Sequence, residues 1–199
     1  MFTFELTSTI TANYGSPFIV TSYYTKGTGY ESEVERLIDS LDSLQISYDI
    51  HCIKNMGDWS INTRYKPLCI KEVLKVYPKV VFIDADAVVK SYPGLFDILD
   101  CDFACHYRNK RELLSGTLFF QDSQNTLDLL DWWMMENEKN TCTEQRNLQK
   151  IIDTKKVRNL IMAELPASYV QIFDLMANNG DPVISHHQAS RRFRKEVSR

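Results

Sequence analysis

The stretch Phe82-Ile83-Asp84-Ala85-Asp86-Ala87 sets two carboxylates one residue apart at the end of an apolar run. On a strand that continues through them, residues at i and i+2 project to the same face, so both acids converge on one point. Carboxylate oxygens are hard ligands, suited to Mg2+ or Mn2+. The plain alternative is a strand end whose acids face water; the buried run before them and the small Ala85 between them favour a metal site. The five cysteines (Cys52, Cys69, Cys101, Cys105, Cys142) lack paired C-x-x-C spacing, so neither zinc nor a disulfide framework is expected. Cys52, Cys69 and Cys105 lie among apolar neighbours and read as buried free thiols, which fits a reducing compartment.

The elements that position the acids follow from hydrophobic periodicity. Pro17 to Thr21 reads as a short buried strand, followed by a loop from Ser22 to Tyr30 holding Gly27 and Gly29. Thr28 and Glu31 have capping-box spacing for a helix whose apolar face is Val34, Leu37, Ile38, Leu41 and Leu44. Ser47 to Ile53 is a second strand. Pro67 marks the first turn of a second helix with Ile70, Val73, Leu74 and Tyr77 inward, and Pro78 closes it. Val80 to Ile83 is the third strand. This alternation predicts an α/β fold, Rossmann-like, with a mostly parallel central sheet flanked by helices. Ligands of such sheets bind beyond the carboxyl ends of the strands, where Asp84 stands. Further on, strands are expected over Asp102 to His106 and Gly116 to Gln121, and helices over Thr126 to Glu138 and Glu144 to Ile152. Pro182 to Ser185 is a short late strand before His186 and His187, and the tail from Arg191 is basic.

The bulk properties exclude some classes. A length of 199 residues, without repeat or linker, suits a single domain over residues 1–199. The net charge of -3, from 23 basic and 26 acidic side chains, argues against a nucleic-acid partner. No run approaches the roughly 20 apolar residues of a membrane span. Met1 to Ile10 lacks the pattern of a signal peptide, so a soluble, cytoplasmic protein is expected.

Four pieces in order, from Pro17 to Arg192, resemble the GT-A fold glycosyltransferases. Asp84-Ala85-Asp86 resembles their D-x-D motif. Leu114-Ser115-Gly116-Thr117-Leu118-Phe119-Phe120 is similar to the N-x-G strand that lines the donor sugar, with Ser115 in place of Asn. Glu144-Gln145-Arg146-Asn147-Leu148 resembles the D-Q-x-x-L helix start whose acid contacts sugar hydroxyls, with Glu144 in place of Asp. Pro182 to His186 resembles the late strand that ends in a histidine metal ligand in the retaining branch. Arg192 stands where relatives place a cation on the diphosphate. The chain is short for that family, leaving little room for an acceptor domain.

The resemblance implies a divalent-metal-dependent transfer of a sugar from a nucleotide-diphosphate donor, a UDP-sugar in most Mn2+-dependent relatives, to a glycan or other hydroxyl acceptor. Asp84, Asp86 and His186 would hold Mn2+ or Mg2+ on the diphosphate, with Arg191 or Arg192 adding charge. Thr21, Tyr23 and Tyr24 would contact base and ribose, and Arg64 or Lys66 the base or phosphates. Trp59 is a candidate ligand contact, Ser115, Gly116 and Gln145 line the donor, and Trp132 and Trp133 read as helix packing. Glu144 and Asp122 are the carboxylates available to take the acceptor's proton.

Three rival readings exist. The motif also fits a haloacid-dehalogenase-type phosphatase with Asp84 as nucleophile and Asp86 as general acid, although two strand–helix units precede it. A sugar nucleotidyltransferase would need a glycine-rich basic loop, and Gly27 and Gly29 with only Lys26 are a poor one. A non-catalytic module that binds nucleotide-sugar is the third.

Overall fold

The computed structural model describes residues 3–139, 141–176 and 180–197, with the backbone alone for 194–197. The elements run β1 (Leu6–Ala12), β2 (Ile19–Thr25), α1 (Tyr30–Ser43), β3 (Tyr48–Ile53), α2 (Trp59–Thr63), α3 (Lys66–Leu74), β4 (Lys79–Ile83) and β5 (Ala87–Val89). They continue as α4 (Leu95–Ile98), β6 (Phe103–Arg108), β7 (Glu112–Gln121), α5 (Gln124–Lys139), α6 (Glu144–Asp153), β8 (Met162–Glu164), β9 (Gln171–Ile172), β10 (Ile184–His186) and α7 (Ser190–Val197).

Seven strands form the main sheet in the order β1-β3-β2-β4-β7-β6-β8. β3, β2, β4, β6 and β8 point one way, and only β1 and β7 run against them, so the sheet is mostly parallel as expected. Central β4 shows why helices cover both faces. Val81 and Ile83 pack with Leu37 and Leu41 of α1 on one face. Val80 and Phe82 point the other way, into Ile70 and Val73 of α3, Trp133 of α5 and Leu148 of α6. Cys52, Cys69, Cys101 and Cys105 are buried free thiols and Cys142 is exposed. No helix among the described residues is long and apolar enough to cross a membrane.

Several local readings are corrected. β2 continues to Thr25, because Ser22 to Thr25 pair with Ile50 to Ile53 of β3, so Tyr23 and Tyr24 belong to a strand rather than a loop. Thr28 and Glu31 do not form the reciprocal box. The Glu31 carboxylate accepts from the Gly27 N–H and the Thr28 hydroxyl donates to the Thr25 carbonyl, leaving Gly29 as N-cap. β6 and β7 form an antiparallel hairpin that begins at Glu112, four residues before the expected start. Asn109 and Lys110, in the three-residue connection 109–111, adopt left-handed φ of 53° and 57°. The strand also stops at Ile83: Asp84 to Asp86 form a turn in which the Ala87 N–H donates to the Asp84 carbonyl at 3.0 Å. The chain then enters a second, three-stranded sheet, β5-β10-β9.

Trp133 is fully buried and its indole N–H donates to the Glu144 carbonyl at 2.8 Å, so it packs the sheet and fixes the start of α6 together. Trp133→Ala is expected to cost about 3–5 kcal/mol, read as a lower urea midpoint in equilibrium unfolding.

Candidate active site

The acids converge by a different route from the one a continuous strand would give. The turn after β4 sends both side chains toward β10, where His186 pairs with Ala87 across the small sheet. One ligand atom each from Asp84, Asp86 and His186 lies within 4.8 Å of the others. Asp86 is clamped from the start of α7: its Oδ2 accepts from the Ala189 N–H at 2.6 Å and its carbonyl from the His187 N–H at 3.1 Å. His186 is buried with Nε2 against the Thr117 hydroxyl at 2.8 Å, leaving Nδ1 for the acidic side. Gly116 makes the approach feasible. A Cβ there would lie 2.9 Å from His186 Cε1, 3.0 Å from its Nδ1 and 3.3 Å from Asp84 Oδ2.

Burial and then the charge of Asp84 push the Asp86 carboxyl up to about 7. Burial also holds His186 down at about 4, so its imidazole is neutral and fit to ligate. Two crowded carboxylates and a neutral imidazole fit a divalent cation, whose charge would relieve the repulsion between them.

Behind this group lies a buried cation. Lys66 opens α3 and its ammonium meets Asp84 Oδ1, Glu144 Oε1 and the Ser115 carbonyl, each at 3.0 Å. Burial pulls its affinity for the proton down, but the two carboxylates outweigh that and hold it above the ordinary lysine value. Glu144, first in α6, is raised by burial, with Lys66 opposing. The Ser115 hydroxyl donates to Glu144 Oε1 at 3.0 Å. Glu144 Oε2 is buried with no hydrogen-bond partner among the described residues.

Asp84, Asp86, Lys66, Ser115 and Glu144 line a cavity of about 520 Å³. Tyr23, Tyr24, Tyr30 and Trp59 line it too, and the Trp59 indole N–H donates to the Tyr30 hydroxyl at 3.0 Å. Lys66, Asp84, Asp86, Ser115, Glu144 and Gln145 complete the expected residues that reach it. Gly116 and His186 line an adjoining cavity of about 190 Å³.

Five expected residues lie elsewhere. Thr21 is fully buried in β2, donating to the Asp49 carbonyl and touching Cys69 Sγ. Arg64 turns toward the end of α5 and donates to the Asn137 carbonyl. Asp122 sits past the end of β7, near Pro78 at the entry of β4, at the opposite end of these strands from Asp84. Arg191 pairs with Asp174 and Arg192 with Glu33, because helical spacing in α7 turns both away from the cavity. Tyr30, Asn62, Glu112, Gln188 and Ser190 line the cavity without having been anticipated. Only Tyr30 left a trace in the sequence, as the last residue of the assigned loop.

No family model matches the chain, and no curated protein sequence matches it. Solved structures do. A glycosyltransferase involved in glycosylation of the major capsid of PBCV-1 matches at 11% identity over 91% of this chain and 96% of that one, with TM-score 0.64. The fold is the GT-A glycosyltransferase fold. The apo form of GlyE from Streptococcus pneumoniae matches at 14% identity over 85% of this chain, with TM-score 0.59, and the chain spans only 54% of GlyE. The galactosyltransferase LgtC, solved with donor and acceptor sugar analogues, matches at 10% identity over 85% of this chain and 87% of that one, with TM-score 0.58. The likeness is one of fold.

Two outcomes follow from the geometry. Gly116→Ala should remain folded but displace His186 or Asp84, so that divalent-ion binding to this candidate site, titrated by calorimetry, weakens by about tenfold or more. Because the folded-state pKa of Asp86 is raised, the folded protein holds its proton more firmly than the unfolded chain. In chelator-treated protein this contribution is present at low pH and is lost as pH rises from about 4 to about 7. The stability of the native protein relative to Asp86→Asn should therefore fall across that window in urea titrations.

Proposed function

We propose that this protein is a glycosyltransferase, one domain over residues 1–199, that moves a sugar from a nucleotide-diphosphate donor, a UDP-sugar, to a hydroxyl acceptor. The observation that carries the reading is the juxtaposition of Asp84, Asp86 and His186 with an aromatic-walled cavity at the carboxyl ends of β2 and β4. Asp84, Asp86 and His186 would hold Mn2+ or Mg2+, which when bound supplies Lewis-acid stabilisation of the departing diphosphate. Tyr23, Tyr24, Tyr30 and Trp59 offer faces and edges for a nucleoside base. Lys66 balances Asp84 and Glu144, so the site tolerates a dense set of acids. The unpaired Glu144 Oε2 is an acceptor for a donor-sugar hydroxyl, since a buried carboxylate oxygen without a donor costs stability until one arrives. Buried free thiols support a reducing, cytoplasmic setting. The phosphatase reading loses support, because Asp84 follows the fourth strand and the structural likeness is to glycosyltransferases.

The test is calorimetric binding of UDP and GDP, with and without Mn2+, to the native protein and to Asp86→Ala. UDP should bind only with Mn2+ and lose about 100-fold or more in affinity in the variant. Metal-independent binding, or none, would sink the assignment.

A further inference from the structure

We infer that Glu112 is the carboxylate that faces the acceptor, receiving its proton from a hydroxyl seated in the smaller cavity. The inference rests on the donor-site reading above and adds the half of the reaction that reading leaves open.

Of the carboxylates expected to act on the acceptor, Asp122 lies beyond the wrong end of the strands and Glu144 is tied to Lys66 and Ser115. Glu112 and Asp84 are the acidic residues that line both cavities, and Asp84 belongs to the ion site. The hairpin sets Glu112 in place. Register pairs it with Arg108, and the guanidinium grips Oε2 through Nε at 2.9 Å and through Nη2. Both donors meet the same oxygen, so Oε2 is held while Oε1 stays outside the ion pair. Oε1 is left with one contact among the described residues, Gln145 Nε2 at 3.5 Å, near the limit of a hydrogen bond. The carboxylate is thus oriented, partly solvated and short of a donor at the junction of the two cavities.

The smaller cavity has a volume of about 190 Å³. Arg108, Glu112 and Gln145 line it with Asp84 and His186, and Ile172 and Leu175 add apolar surface. Polar groups interleaved with apolar surface suit a ring with a C–H face and a hydroxyl edge. In the transfer, the acceptor oxygen bonds to the anomeric carbon while the bond from that carbon to the diphosphate oxygen breaks, a direct displacement that inverts this carbon, unlike the retaining branch that the late strand resembles. Its electron pair leaves with the diphosphate, and the acceptor's proton passes to Glu112 Oε1.

Water can stand in for the unidentified acceptor. UDP release from UDP-glucose, UDP-galactose and UDP-N-acetylglucosamine would be followed with Mn2+ for the native protein and for Glu112→Gln, alongside UDP binding and the unfolding midpoint of each. The expected result is unchanged UDP affinity and midpoint, with UDP release slowed about 100-fold. Equal release rates, loss of UDP affinity in the variant, or a native protein that binds UDP yet releases none from these donors would each overturn the role of Glu112. A native protein that does not bind UDP would bring down the donor-site reading, and this inference with it.

Discussion

A single ammonium group, that of Lys66, makes the acidic centre of this fold tenable. It is almost wholly enclosed, and its three strongest partners come from three different elements: Asp84 after β4, the Ser115 carbonyl in β7 and Glu144 at the head of α6. An enclosed charge of this kind is stabilising only while its partners are complete, because removing one leaves another uncompensated. The approach of α3, α6 and the sheet is therefore constrained to the distance at which one lysine can satisfy both carboxylates. Phe82 adds its ring face at 4.8 Å from the same nitrogen, joining the apolar core to the polar site.

The rest of the site is built outward from that junction. Gly116 follows Ser115 directly, and its missing side chain lets His186 approach Asp84. Trp133 fills the core below α6 while holding the Glu144 carbonyl, so packing and polar geometry are set by the same residue. Ser115 and Glu144 meet each other through the serine hydroxyl.

The first half of the fold was legible because each apolar stretch has one period and one role. Val80 to Ile83 is buried on both faces, and the helix faces of α1 and α3 repeat at helical spacing. Asp84 and Asp86 were legible as a pair, although their convergence comes from a turn. Residues whose direction depends on distant elements were not legible. Thr21 and Tyr23 are alternate residues of one strand, yet one is sealed under α3 and the other reaches the cavity. Arg191 and Arg192 looked free in sequence, but Asp174 and Glu33 claim them. Glu112 was missed because the hairpin tip, Asn109-Lys110, carries no glycine to announce a left-handed turn.

The clamp on Asp86 spans 103 residues of sequence, from the β4 turn to the Ala189 N–H. Between those points lie β5 to β10 and α4 to α6, so this acidic cluster closes only after the second half of the fold has been laid against the first. Loop closure of that length has little local reward, because its entropic cost is met only when the distant partners arrive. A growing chain would thus assemble its core before it possessed a working centre, and the tail from His186 onward acts as the final fastener. Any ligand that binds the assembled centre draws the docked tail with it by mass action.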